Sequence, residues 1–175
     1  MNAYILAGGQ SSRMGSNKAI IEIDGTPMCM HIYQKLQMAG ADSIFLITKT
    51  PVLLPIPQLI EIYEKSHPLY GVHIALEHSS SHLCFITPCD MPFVSVASYR
   101  ILLEQKQPTI LCGETRKQPL LGVFSKEARE LALHYAQEER SVMSFVDAFQ
   151  HILSSDDELR NINTLQDIEE FSCTQ

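Results

Sequence analysis

The sequence predicts a three-layer α/β protein, a mostly parallel sheet with helices on both faces. Short apolar, β-rich runs alternate with longer amphipathic stretches. The clearest run, LCFIT at 83–87, is too short for a buried helix and ends in the rigid segment PCDMP. A glycine-rich loop follows directly on the first apolar run.

Taken in order, residues 3–6 read as a buried strand, and the loop after it carries Gly8, Gly9 and Gly15. Residues 19–23 are apolar apart from Glu22, and Asp24 with Gly25 signals a turn. Pro27 suits the first position of a helix over 28–38, with Thr26 as its cap and Gly40 as its stop. SIFLIT at 43–48 is a second strand; Pro51, Pro55 and Pro57 then force a loop. A less pronounced strand at 59–63 and a helix at 69–77 lead to the strand at 83–87. Ser95 caps a helix reaching Lys106, because Ala97, Ile101 and Leu102 recur at helical spacing. Strands at 109–112 and 120–124 flank a polar turn at 113–118. Helices are expected at 126–136 and 141–149, and a closing one at 165–171. No repeat or linker divides the chain, so one domain over 1–175 is expected.

Composition removes several function classes. The chain has 175 residues, 45% of them hydrophobic, enough for a sizeable core. No apolar run approaches the roughly 18 residues that span a bilayer, and no export signal opens the chain, so a cytoplasmic location and no membrane partner are expected. A net charge of −7 argues against nucleic acid as a partner. The five cysteines lack a C-x-x-C pair and read as buried thiols rather than disulfides or zinc ligands. His78 and His82 flank a serine turn and do not read as a metal pair.

Against this acidic background, the cations of LAGGQSSRMGSNK, residues 6–18, stand out. Adjacent glycines after a buried strand let successive backbone N–H groups ring an anion, and Arg13 and Lys18 add full charges. A triphosphate is the natural guest. Neither G-x-x-x-x-G-K-[ST] nor G-x-G-x-x-G is present, which turns the reading from a P-loop ATPase or a dehydrogenase towards nucleotidyl transfer. By themselves the glycines also fit a plain tight turn.

Asp90 lies just past the strand at 83–87, held between Pro88 and Pro92. Ligands of open α/β sheets bind at the carboxyl ends of strands, so Asp90 and the loop can share a crevice. Mg²⁺ commonly takes one or two carboxylates and completes its shell with phosphate and water, so a lone aspartate suffices. A turn or helix-capping aspartate is the plainer alternative.

LAGGQSSRMGSNK, PCDMPFV, QPLLGVF, RSVMSF and NINTLQDI together resemble, in order, the motifs of molybdenum cofactor guanylyltransferases, the MobA family. The resemblance runs from residue 3 to residue 168. It implies a Rossmann-like nucleotide-binding fold of the nucleotide-diphospho-sugar transferase type. It also implies an enzyme that joins GMP from GTP to molybdenum-molybdopterin, releasing pyrophosphate. By this resemblance Leu6, Ala7, Gly8, Gly9 and Lys18 contact GTP, as do Pro68, Leu69 and Gly71. Asp90 holds Mg²⁺; Lys18, Asp90 and Arg13 carry the chemistry. Arg13, Arg140, Asn161 and Asn163 face the pterin or the transferring phosphate. Cofactor-insertion proteins and molybdoenzyme apoproteins follow as further partners, and a monomer is expected.

The chain departs from the family pattern at Asn17 (for aspartate), His67 (for the glycine of G-P-L), Leu165 (for proline) and Ile47, Thr48 and Lys49 (for an asparagine-containing strand end). Alternatives from the residues stay open: a cytidylyltransferase for the same pterin, another small-molecule phosphate nucleotidyltransferase, or a non-catalytic nucleotide-binding module. Read alone, Asn161 and Asn163 fit a polar turn capping the last helix through Thr164. Arg140 likewise fits a surface cation at a helix start, and Phe145 the core.

Overall fold

A computed structural model of the chain describes residues 1–8 and 18–172. Gly9, Arg13, Gly15 and Asn17, and with them most of the glycine-rich loop, lie outside the described residues. The chain opens with β1 (Ala3–Leu6), a 3-10 turn (Lys18–Ile20) and the short strands β2 (Glu22–Ile23) and β3 (Thr26–Pro27). Next come α1 (Met28–Ala39), β4 (Ile44–Thr48), β5 (Gln58–Ile60), α2 (Pro68–His78) and β6 (Leu83–Pro88). After α3 (Val96–Leu103), β7 (Thr109–Cys112) and β8 (Lys117–Ser125) form a hairpin. A 3-10 turn, α4 (Arg129–Gln137), α5 (Val142–Phe145), β9 (Gln150–Leu153) and α6 (Leu165–Ser172) complete the order. No helix among the described residues is long and apolar enough to cross a membrane.

Seven strands form one sheet in the order β5-β4-β1-β6-β8-β7-β9. Only β8 runs antiparallel to its neighbours, because the short turn from β7 reverses the chain where the other connections cross over. Side chains alternate across the sheet with the period of two that a strand imposes. Ala3, Ile5, Leu46, Phe85 and Val123 face one core with Ile32 and Leu36 of α1 and Tyr99 and Leu102 of α3. Tyr4, Ile47, Ile86 and Phe124 face the other, with Leu69, Val72 and Leu76 of α2, Ala132 and Ala136 of α4 and Phe145 of α5. Both sheet faces are therefore covered, as the sequence predicts.

Local signals explain several boundaries. Gly40 ends α1 in the left-handed conformation, φ 94°, with its N–H on the carbonyls of Leu36 and Gln37. The Ser95 side chain accepts from the Ser98 N–H and starts α3, although that helix stops at Leu103 instead of Lys106. Thr164 and Asp167 cap α6 reciprocally: the Asp167 carboxylate accepts from the N–H groups of Asn163 and Thr164, and the Thr164 hydroxyl accepts from the Asp167 N–H.

Further expectations need correction. β8 begins at Lys117, inside the turn expected at 113–118. Thr26 is not the cap of α1 and Pro27 is not its first residue; Pro27 itself occupies the cap position, without a side-chain hydrogen bond. Thr26 and Pro27 pair with Ile23 and Glu22 around Asp24 and Gly25, both at positive φ (50° and 73°), the geometry a tight two-residue hairpin requires. The strand expected at 59–63 is Gln58–Ile60, so Glu61 lies beyond it. The helix expected at 141–149 is one turn, Val142–Phe145, followed by β9. Val142, Phe145, Val146 and Phe149 recur at helical spacing and all reach the same core, but pairing of Gln150–Leu153 with β7 takes the chain into the sheet.

A side chain at Gly122 would collide with the backbone of Thr109 and Ile110 in the adjacent strand, so Gly122→Ala should destabilise the protein by about 1–3 kcal/mol in urea unfolding. Asp167→Ala should cost about 1 kcal/mol near neutral pH. Backbone hydrogen bonds to Asn163, foremost, hold the Asp167 pKa below its ordinary value, so its contribution is present above the unfolded aspartate pKa. It is lost as pH falls through the depressed native value, and the wild-type and Asp167→Ala stabilities should converge there.

Candidate active site

Backbone ladders that continue past the strand ends set the site. The Ala7 N–H donates to Ile47 O (2.7 Å), the Cys89 N–H to Leu6 O (3.0 Å) and the Glu61 N–H to Thr48 O (2.9 Å). The residues just after β1, β5 and β6 are thus fixed side by side at the carboxyl edge. α1 and α2 leave this edge on opposite faces, which opens a crevice between β1 and β6. A cleft of about 240 Å³ lies there, its walls including Leu6, Ala7, Gly8, Lys18, Pro68, Gly71 and Asp90. A side chain at Gly71 would press on Leu6 Cδ2 at 3.0 Å, so glycine lets α2 approach the wall. Leu69 is fully buried behind it and faces the core rather than the cleft.

Lys18 and Asp90 meet at the floor. The Lys18 ammonium donates to Asp90 Oδ2 (3.1 Å), Asn163 Oδ1 (2.6 Å) and Ile162 O (3.4 Å). Asn161 Nδ2 donates to Asp90 Oδ1 (3.0 Å), and Gln118 Nε2 fixes the Asn161 amide by donating to its Oδ1 (2.7 Å). The backbone bond from Ile162 N to Asp90 O (2.8 Å) docks the C-terminal segment onto the loop after β6. Four residues singled out in the sequence, Lys18, Asp90, Asn161 and Asn163, are therefore in direct contact. The Asn161 and Asn163 side chains bond within the site, while the helix is capped by Thr164 and Asp167.

Arg140 lies elsewhere, on the α2 rim. Its guanidinium stacks on Tyr135 at 3.9 Å and its carbonyl accepts from His67 Nε2 (3.0 Å). His67, in place of the family glycine, caps α2 by accepting the Leu69 N–H at Nδ1 (3.3 Å). With Nδ1 accepting from Leu69, Nε2 is the donor to the Arg140 carbonyl.

The sequence reading missed Glu61. Its side chain is 5% exposed, it lines the cleft, and its Oε1 has no hydrogen-bond partner. A side chain at Gly8 would collide with its Oε2, so the carboxylate packs directly against the glycine backbone. Burial raises the Glu61 pKa; Lys49 Nζ, 3.6 Å from Oε1, opposes this. Lys49 also holds the carbonyls of Tyr63 and Lys65, each at 3.3 Å. The available signal was one carboxylate inside the run LIEIY, which as a strand residue had no reason to face a ligand.

Cys29, Cys84, Cys89 and Cys112 are buried and free. Burial pushes the Cys29 thiol up to about 11 and that of Cys89, beside Asp90, higher still. Neither is a nucleophile near neutral pH.

Residues 3–154 match the MobA-like NTP transferase domain. A probable molybdenum cofactor guanylyltransferase of Flavobacterium johnsoniae is 27% identical over 98% of this chain and 96% of its own. One of Bacillus cereus is 31% identical over 79% and 75% respectively. Among solved structures, molybdopterin-guanine dinucleotide biosynthesis protein A of Archaeoglobus fulgidus superposes with a TM-score of 0.77 at 17% identity, covering 99% of this chain and 98% of that one. 4-Diphosphocytidyl-2C-methyl-D-erythritol synthase of Anaerococcus prevotii gives 0.71 at 14% identity, covering 99% and 94%. These two support the fold. The domain match and the sequence relatives, added to a lysine–aspartate pair at the carboxyl edge of the sheet, show that the chain belongs to the MobA-like NTP transferase family and is a nucleotidyltransferase.

Proposed function

We propose that the protein transfers GMP from GTP to molybdenum-molybdopterin, giving molybdopterin guanine dinucleotide and pyrophosphate. The observation that carries the chemistry is the convergence of Lys18, Asp90, Asn161 and Asn163 beside the Leu6–Ala7–Gly8 backbone. The acceptor's phosphate oxygen attacks the α-phosphorus as the bond to the β-phosphate breaks, so two anions must be brought together. Lys18 supplies a cation to the phosphates, and preorganised donors need no rearrangement at the moment of transfer. No covalent enzyme intermediate is required.

The residues fit Mg²⁺. Three oxygens, Asp90 Oδ2, Asn163 Oδ1 and Ile162 O, already surround one cation position, now held by the Lys18 ammonium. No group of three or more His, Cys, Asp or Glu side chains that could hold a metal occurs among the described residues, so Asp90 would hold the ion together with nucleotide phosphates. Bound there, Mg²⁺ supplies neutralisation of phosphate charge.

Glu61 supports guanine as the base. An ionised carboxylate only accepts hydrogen bonds, and guanine presents two adjacent donors, N1–H and N2–H, on its pairing edge. Cytosine offers one donor beside two acceptors, a poorer match to a buried anion.

The test is competition of GTP, CTP, UTP and ATP for molybdopterin, followed by pyrophosphate release, in wild type and Glu61→Gln. Wild type should prefer GTP. Glu61→Gln should lower kcat/KM for GTP by roughly 10- to 100-fold, the worth of about 1.4–2.7 kcal/mol. Because burial raises the native Glu61 pKa, folding penalises its ionised form, and wild type loses stability as pH rises through that value. Glu61→Gln should therefore melt higher at pH 7, with the gap closing below the ordinary carboxylate range. A preference for CTP, or GTP kinetics unchanged in Glu61→Gln, would overturn the guanine assignment.

A further inference from the structure

Asn161 forms a wall between two hollows. Its amide reaches Asp90 in the nucleotide cleft, and it also lines a second hollow of about 250 Å³ with Phe93, Arg116, Arg160, Asp167 and Glu170. The Arg160 guanidinium is held on two sides: its carbon lies 4.3 Å over the Phe93 ring, and Nη1 donates to Glu170 Oε2 at 2.9 Å. Its Nε is buried with no hydrogen-bond partner. A buried donor left unpaired is unfavourable, so a small shift of the side chain towards an incoming oxyanion would be compensated.

Arg116 is the second cation. It is exposed, and its backbone is pinned in the β7–β8 turn: its N–H donates to Asp156 Oδ1 (3.2 Å) and its carbonyl accepts from Gly113 (2.7 Å). The two carboxylates of the hollow are already engaged, Asp167 by backbone N–H groups of Asn163 and Thr164 and Glu170 by Arg160. Two arginines thus line a hollow one side chain, Asn161, away from Asp90. In-line transfer needs the acceptor to reach the α-phosphorus from the side away from the leaving pyrophosphate, and a hollow adjoining the cleft across Asn161 offers such an approach.

We propose that Arg116 and Arg160 form the subsite that receives the acceptor's phosphate monoester, a dianion suited to guanidinium forks. The subsite rests on the nucleotidyl-transfer reading above. It adds two residues that none of the motifs QPLLGVF, RSVMSF and NINTLQDI contains.

Two measurements test it on the full chain. In protein saturated with a non-hydrolysable GTP analogue, phenyl phosphate should shift the Arg160 Nε–H resonance saturably, the signal being assigned by its absence in Arg160→Lys. In steady-state assays, Arg116→Gln and Arg160→Lys should raise KM for molybdopterin by about tenfold or more and leave KM for GTP within about twofold. Arg116→Lys, which keeps the charge, should recover part of the loss. Since Arg116 is exposed and its backbone N–H and C=O hold the turn, Arg116→Gln keeps the test open if Arg160 variants fold poorly. An Arg160 signal unmoved by phenyl phosphate, or an unchanged molybdopterin KM in Arg116→Gln, would overturn the subsite. A shifted signal in a wild-type protein that does not guanylylate molybdopterin would support the subsite and sink the pterin as its acceptor.

Discussion

The Lys18 ammonium is the point on which the site depends. It joins the first loop of the chain to Asp90 after β6 and to Ile162 and Asn163 near the C-terminus, parts 72 to 145 residues apart in sequence. Both members of the pair are mostly buried, with side-chain exposures of 21% and 18%. At that depth, removing one partner is costlier than the pair is stabilising, because an uncompensated charge remains.

The sheet makes the meeting possible. β1, β4, β5 and β6 are parallel, so the four segments that follow them emerge on one edge, and backbone bonds beyond the strand ends hold them in register. The reversal at β8 places Gln118 at the near end of its strand, where it can fix Asn161. Gly8, Gly71 and Gly122 then permit the close approaches that the packing demands: the Glu61 carboxylate, the Leu6 side chain and the neighbouring strand respectively.

Much of the fold was legible because burial on both sheet faces produces continuous apolar runs, as in AYIL, IFLIT and LCFIT, and because Ser95 and Gly40 act through their nearest neighbours. Lys18, Asp90, Asn161 and Asn163 were legible through the motifs that hold them, although the bonds among them depend on contacts 71 to 145 residues apart. What escaped was decided by tertiary pairing. β9 carries no strong strand signal of its own and forms because β7 offers an open edge. Glu61 lies on the inward side of the chain with Leu59 and Tyr63, while Ile60 and Ile62 face outward, an inversion that the apolar composition of LIEIY hides. Arg116 and Arg160 come together because the β7–β8 turn and the segment before α6 meet across Asp156 and Asn161.

The most direct measurement is a crystal structure with a non-hydrolysable GTP analogue and Mn²⁺. Anomalous density is expected beside Asp90, with the Lys18 ammonium moved from Asp90 to phosphate oxygens and the guanine edge against Glu61. A nucleotide bound away from this cleft, with Lys18 still paired to Asp90 and no metal beside it, would rule out this edge of the sheet as the site of transfer.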